Sequence, residues 1–243
     1  MATPSISVIL NVYKRPHMLE PQLESILGQT VNVNPKNIHV WYNFSDVEQL
    51  SPSIPEVKTY VCNWNTKFFG RFTLPLLCRT KYIAIFDDDN LPGCKWFENC
   101  LNVINTEETN GVLGGTGVIL KDTENFKVGW NGDTFDHTMR VDFIGQTWFF
   151  RQEWAKYMWY EPPICWDNGE DIMFCYLVQK YGGVNTFVPP HPTTDTDMWS
   201  THFGTAWKVG RDGNASWRLG GHRAMRERIY QTCIKRGWNT VNG

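Results

Sequence analysis

No stretch of the 243 residues holds the ~18 consecutive apolar side chains that a membrane-crossing helix needs. Met1 to Ser5 lack the charged start and apolar run of a secretory leader, so none is expected. An excess of either charge is also missing. The 23 Lys and Arg against 25 Asp and Glu leave a net charge of −2, too little to build a field for nucleic acid or a basic patch for a membrane. The seven cysteines are odd in number and include no Cys-x-x-Cys pair, which argues against a disulfide framework. They fit a reducing, cytoplasmic setting in which thiols serve as small buried side chains. No Gly-x-Gly-x-x-Gly follows the first strand, so a dinucleotide-binding fold lacks its key turn. Internal repeats and domain linkers are absent too, and one core over residues 1–243 is expected.

Tryptophan, by contrast, is abundant: twelve residues, nine of them at or after Trp130. An indole fills a core, yet it also offers a flat apolar face with one donor at its edge, a shape suited to the C–H faces of sugar rings. Core packing is the ordinary role for any one of them.

Ile6–Val12 is a β-branched run fit for a central parallel strand, and Ile38–Tyr42 and Val57–Val61 read as two more. Between the first two, Met18, Leu19, Leu23, Ile26 and Leu27 recur at helical spacing, with Pro21 an awkward member. Leu74–Leu77 reads as helix before a further strand at Tyr82–Phe86. Strand alternating with helix predicts an α/β fold with a mostly parallel sheet. Further on, Trp96–Ile104 reads as helix and Val112–Leu120 as a glycine-softened strand, followed by a polar loop over 121–140. Val141–Phe150 is a strongly apolar strand whose Gly145-Gln146 step suggests a bulge or a ligand's close approach. Helices are expected over Arg151–Tyr160 and Ile172–Tyr181, a last strand over Val184–Val188, and a basic helix over Gly221–Arg236.

The chemistry concentrates at Asp87-Asp88-Asp89, where three carboxylates follow the buried strand and Pro92-Gly93 forces a turn. Open α/β sheets bind ligands at the carboxyl ends of their strands. Adjacent acids repel, and a hard divalent cation such as Mn²⁺ or Mg²⁺ is the usual partner that makes such a cluster tolerable. The plainer alternative is a polar turn whose acids face the next helix.

Four stretches together carry a family resemblance. Ser-Val-Ile-Leu-Asn-Val-Tyr-Lys-Arg-Pro with the helix after it, and Phe-Asp-Asp-Asp, resemble the opening and the metal-binding DxD motif of GT-A glycosyltransferases of the family-2 type. Asn65 to Pro75 resembles a segment of exostosin-like transferases, as does Asp-Asn-Gly-Glu-Asp-Ile at 167–172, and the compact length is similar to small stand-alone transferases of large algal viruses. The resemblance covers residues 5–190 and implies a metal-dependent enzyme that moves sugar from a nucleotide-sugar donor, a UDP-sugar first, to a hydroxyl of a glycan acceptor. It divides the single GT-A domain into a nucleotide-binding half (1–93), an acceptor half (94–190) and a closing loop and helix (191–243).

Carried over residue by residue, it places Val12, Tyr13, Arg15 and Asn43 around the base, with Val12 standing where the family often has threonine. Asn65 and Arg71 fall at the uridine or diphosphate. Asp87 falls at the ribose or base, Asp88 is an orienting neighbour and Asp89 is the metal ligand. Asp171, with Glu170 beside it, falls on the acceptor side as general base if the reaction inverts, or as an orienting carboxylate if it retains. Both acids also stand at a helix start, where the macrodipole alone would favour them. From the tail, His222 with Arg223 or Arg226 would close over the donor, His222 also being a candidate metal ligand, unless that helix is simply a solvated basic face. Trp130, Trp148 and Trp166 are acceptor candidates. Two other functions stay open: a non-catalytic carbohydrate-binding module, which would have no use for these acids, and a sugar-phosphate nucleotidyltransferase, which would want a glycine-rich phosphate loop.

Overall fold

The computed structural model describes residues 5–122, 124–201, 209–218 and 220–242; His202, expected to be a loop histidine, lies outside them. One nine-stranded sheet is built from β1 (Ile6–Val12), β2 (Ile38–Tyr42), β3 (Lys58–Val61), β4 (Tyr82–Phe86), β5 (Val112–Ile119), β6 (Phe126–Val128), β7 (Met139–Val141), β8 (Phe143–Arg151) and β9 (Thr186–Val188). Among the described residues four α-helices accompany it: α1 (Leu19–Leu27), α2 (Trp96–Ile104), α3 (Glu170–Gly182) and α4 (His222–Lys235).

The spatial order is β3-β2-β1-β4-β8-β5-β9-β7, with β6 paired to β5. β3, β2, β1 and β4 run parallel, as the alternation predicts. β8 does not: it lies antiparallel between β4 and β5. Its apolar run is buried on both faces, and that pattern carries no strand direction. The segment read as one polar loop over 121–140 contains β6 and the start of β7, three-residue strands too short to show a period of two. Leu74–Leu77 and Arg151–Tyr160 fall in 3₁₀ segments, Gly70–Leu77 and Gln152–Trp159. Pro75 sits inside the first, where its missing N–H works against a regular α-helix. Pro21 causes no break, because it is the third residue of α1, where a backbone N–H has no partner within the helix. Among the described residues no helix is long and apolar enough to cross a membrane.

Five consecutive buried residues, Tyr82 to Phe86, put β4 at the centre of the core. α2 presents Phe97, Cys100 and Ile104 to the sheet, with Phe97 against both Phe86 and Phe149. Burying such a side chain stabilises by about 1.5–3 kcal/mol, which is why the sheet is rigid where the acids emerge from it.

Two histidines are part of this interior. His39 on β2 meets the Tyr60 hydroxyl at 3.2 Å, and His191 stacks on Trp199 with ring centroids 5.7 Å apart. Burial holds each well below the ordinary imidazole value, at about 4. Between pH 6.5 and 4 the unfolded chain therefore takes up protons that the folded one refuses, and these groups lose stability as pH falls. His191→Leu is expected to gain on wild type across that window, by roughly 1.4 kcal/mol per pH unit and on the order of 3 kcal/mol in all. Denaturant melts of both proteins at pH 6.5, 5.5 and 4.5 check this; a stability difference independent of pH would show His191 to be ordinarily titrating.

Candidate active site

β1, β2 and β4 run parallel, so Val12, Tyr42 and Phe86 end at one edge of the sheet. β8, running the other way, begins there, and Phe86 pairs with Thr147. The Asp87 N–H donates to the Gln146 carbonyl at 3.0 Å, which extends the pairing by one residue into the acidic turn. Gln146 has φ of 67°, a left-handed conformation, opposite a register shift between Gly114 and Thr116, so the interruption in β8 is a real irregularity. From α1, the Gln22 amide donates to the carbonyls of Asp87 (2.7 Å) and Asn90 (3.0 Å) and fixes the turn from below. The turn closes at Gly93, where a Cβ would come within 2.3 Å of the Asp197 carbonyl oxygen.

Three arginines organise the acids. Arg71 is buried, donates to Asp87 from Nη1 and to Glu170 from Nη2 at 3.0 Å, and lies over the Trp148 ring at 4.7 Å. Arg15 donates to Asp88 at 2.5 Å and forks onto Asp212 at 3.0 and 2.7 Å. Arg226 of α4 forks onto Asp171, at 3.0 Å to Oδ1 and 2.7 Å to Oδ2, and also donates to the side-chain Oδ1 of Asn168 at 3.0 Å. Asp88 accepts from the Tyr13 N–H as well, at 3.2 Å, so it orients the turn after β1.

Asp89 is left over. Its nearest cation is Arg15 at 3.8 Å, and Asn90 donates to it at 2.9 Å. Burial, then the charges of Asp87 and Asp88, push its carboxyl up to about 8. Burial likewise raises Asp88 to about 6, and burial plus Asp171 raises Glu170 to about 7. Arg15 holds Asp212 down at about 2. A carboxylate facing two others and sharing its one arginine contact, among the described residues, with Asp88 suits a divalent ion. Among the described residues no three His, Cys, Asp or Glu side chains converge into a metal cage, so an ion here would draw most of its oxygens from a ligand and water.

These groups line one cavity of about 1590 Å³. Tyr13, Arg15, Asn43, Asn65, Arg71, Asp87, Asp88, Asp89, Glu170, Asp171, His222, Arg223, Arg226 and Trp130 are all on it. Val12 is not: it is buried, and its carbonyl accepts the Asn43 N–H at 3.1 Å, so it supports the wall while Asn11 lines it. Trp166 is 54 % exposed, sits edge-on to Phe69 and lies off the cavity. Trp148 touches the cavity but is only 1 % exposed beneath Arg71, so its face is taken by a guanidinium and cannot stack on a sugar. Asn43, also buried, clamps the 65–67 loop by donating to Asn65 Oδ1 at 2.9 Å and accepting from the Thr66 N–H at 2.8 Å.

Two charged residues have partners other than those expected. The terminal nitrogens of Arg71 meet Asp87 and Glu170, where the resemblance implies the uridine or diphosphate. Arg226 sits on Asp171 instead of a donor phosphate, and Asp171 Oδ1 additionally accepts the Ile172 N–H at 2.8 Å. Gly169, with φ of 89°, makes that meeting possible: a Cβ there would strike Ile229 Cδ1 at 2.5 Å and push α4 away from α3. Sequence reasoning missed Asp212 and Trp217. The first carried no motif, and the second is a 55 %-exposed indole on the cavity rim, in a segment read only as the closing loop.

Comparison with known proteins points in the same direction. No curated protein matches the sequence. Among solved structures, a mannosyltransferase from Pyrobaculum calidifontis in complex with GDP-Man and Mn²⁺ superposes with a TM-score of 0.64 at 16 % identity, covering 100 % of this chain and 67 % of that one. GalNAc-T7 with UDP, GalNAc and Mn²⁺ gives 0.60 at 13 % identity, covering 78 % of this chain, which spans only 43 % of that protein. At such identities the likeness speaks for the fold, which is GT-A. The profile of glycosyl transferase family 2 matches residues 7–161, well over half of the chain. The chain thus belongs to glycosyl transferase family 2, as a glycosyltransferase of GT-A fold.

Proposed function

We propose that the enzyme is metal-dependent and transfers sugar from a nucleotide-sugar donor, a UDP-sugar in first place, to a hydroxyl of a glycan acceptor. The observation that carries this is Asp89, a carboxylate at the tip of the central strand that shares Arg15, at 3.8 Å, with Asp88 and Asp212 and faces a large cavity. A nucleoside diphosphate with Mn²⁺ or Mg²⁺ supplies what is missing there, and both structural neighbours were solved with Mn²⁺ and a nucleotide or nucleotide sugar. The metal would stabilise charge on the leaving diphosphate as a Lewis acid.

The remaining tasks fall to the chain. Asp88 and Arg15 fix the turn after β1, where Tyr13 and Asn65 meet through a 3.2 Å hydrogen bond and offer a phenol and an amide to the base. Arg71 keeps Asp87 in place without touching substrate. Asp171 meets the acceptor with its orientation set by Arg226. As a base it would contribute roughly 10²–10⁴-fold; as an orienting group it would act on position alone. His222, half-buried beside Arg226 and held below its ordinary pKa by burial, stands at the mouth between donor and acceptor.

The test is a thermal-shift and hydrolysis screen of nucleotide sugars with and without Mn²⁺. A UDP-sugar is expected to stabilise the protein only when metal is present. Stabilisation by UDP-sugars that ignores EDTA, or by no nucleotide at all, would overturn the proposal.

A further inference from the structure

The cavity is larger than the acids at its donor end account for, and it continues along α4. Arg223, Arg226, Glu227, Tyr230, Gln231 and Ile234 all line it, at helical spacing. Ile229 and Cys233, buried, seat the helix, and the adjacent stripe faces the cavity. From Arg226, which holds Asp171, to Ile234 the stripe runs ~12 Å at ~1.5 Å per residue, and nothing in the donor assignment uses it. The far end is closed by dedicated bonds. Buried Asp142 accepts from the N–H groups of Leu120 and Val241, each at 2.6 Å, and Asn242 donates to the Leu120 carbonyl at 2.9 Å. Those bonds hold Thr240 and Asn242 on the cavity wall.

The chemistry of this extension favours an uncharged, hydroxyl-rich ligand. Lys121, Lys127 and Arg223 are balanced by Asp122, Glu124 and Glu227, so the wall has no net charge to attract an anion. Asn125, Asn131, Gln231 and Asn242 bring amides that both donate and accept, as sugar hydroxyls require. Tyr230 and Trp130 add rings, and Trp130 is anchored by its N–H to the Gly117 carbonyl at 3.3 Å. We propose that the groove between α4 and the carboxyl end of β5 is an extended acceptor site that binds a neutral oligosaccharide of several residues, its reactive end at Asp171 and its body along Tyr230, Gln231 and Ile234. This rests on the donor and acceptor assignment above.

The experiment uses the UDP-sugar selected by the manganese screen, radiolabelled, with size-fractionated pools of neutral glycans from monosaccharide to hexasaccharide. The acceptor KM is expected to fall at least tenfold from mono- to tetrasaccharide. Tyr230→Ala/Gln231→Ala should return most of that gain while moving the monosaccharide and donor KM less than twofold. Gln231→Ala alone, at an exposed position, gives a smaller loss of the same kind and serves if the double variant does not fold. A KM indifferent to chain length, or a loss equal for short and long acceptors, would overturn the extended site. Metal-dependent donor hydrolysis with no label in any pool would also overturn it while leaving the donor assignment intact. No hydrolysis of any nucleotide sugar would remove both.

Discussion

Asp89→Asn is expected to lower kcat/KM by about a thousandfold and, in the absence of metal, to raise the melting temperature. The two effects have one cause. Asp89 is half-buried beside Asp87 and Asp88, shares Arg15 at 3.8 Å with Asp88, and has its carboxyl pushed up to about 8 by burial and by those two charges. A group whose folded pKa lies above its unfolded one costs stability as pH rises between them, so at neutral pH the acid opposes folding. An amide of the same shape removes that cost, on the order of 1 kcal/mol or more, which for a domain of this size is ~2–4 °C per kcal/mol. The loss is of the charge that would anchor a divalent ion against a leaving diphosphate, an effect of several kcal/mol on the transition state. The variant should also lose the Mn²⁺-dependent stabilisation by UDP-sugar. A variant less stable than wild type without metal, or active within tenfold of it, would show that Asp89 is a structural acid.

Arg71→Met is expected to be the most destabilising single change in the site, about 3–5 kcal/mol, because it leaves the buried Glu170 and the half-buried Asp87 without their shared counter-charge. A thioether fills much of the space over Trp148 but neutralises neither acid. Both carboxyls would then hold protons to higher pH, so the deficit should be larger at pH 8 than at pH 5. Arg71→Met/Glu170→Gln should recover part of it. A loss independent of pH and not relieved by the second change would mean that Arg71 acts by packing alone. Donor affinity measured on the surviving folded fraction separates this role from the direct diphosphate contact that the motif resemblance implies: a strut leaves it largely intact.

Some of this was legible in the residues and some could not be. β1, β2 and α2 fall on the expected boundaries because each is a dense apolar run ended by a polar or proline-bearing turn. The acidic turn stood out for a physical reason, since three like charges in a row need an explanation. Direction and partners were not legible. β8 reads the same whether it runs with or against its neighbours, and the pairing of Arg15 with Asp212 joins residues 197 positions apart. Arg226 read either as a residue closing over the donor or as one more cation on a solvated helix; with α4 against α3, where a glycine at 169 leaves room for Ile229, its guanidinium sits on Asp171. Motif resemblance located Arg71 but not its acid partners, Asp87 and Glu170, because nothing in the motif says which carboxylates a buried arginine meets.

The fork between Arg226 and Asp171 also bears on how the enzyme comes to life. A ribosome that has finished Gly169 has already delivered Arg15, Arg71 and the whole acidic turn, yet neither Asp171 nor the guanidinium that steadies it. Asp142, which ties the far wall, must wait longer still for Val241. The fork on Asp171 and the bonds that tie the far wall are thus the last parts of the cavity to be completed as the chain is made.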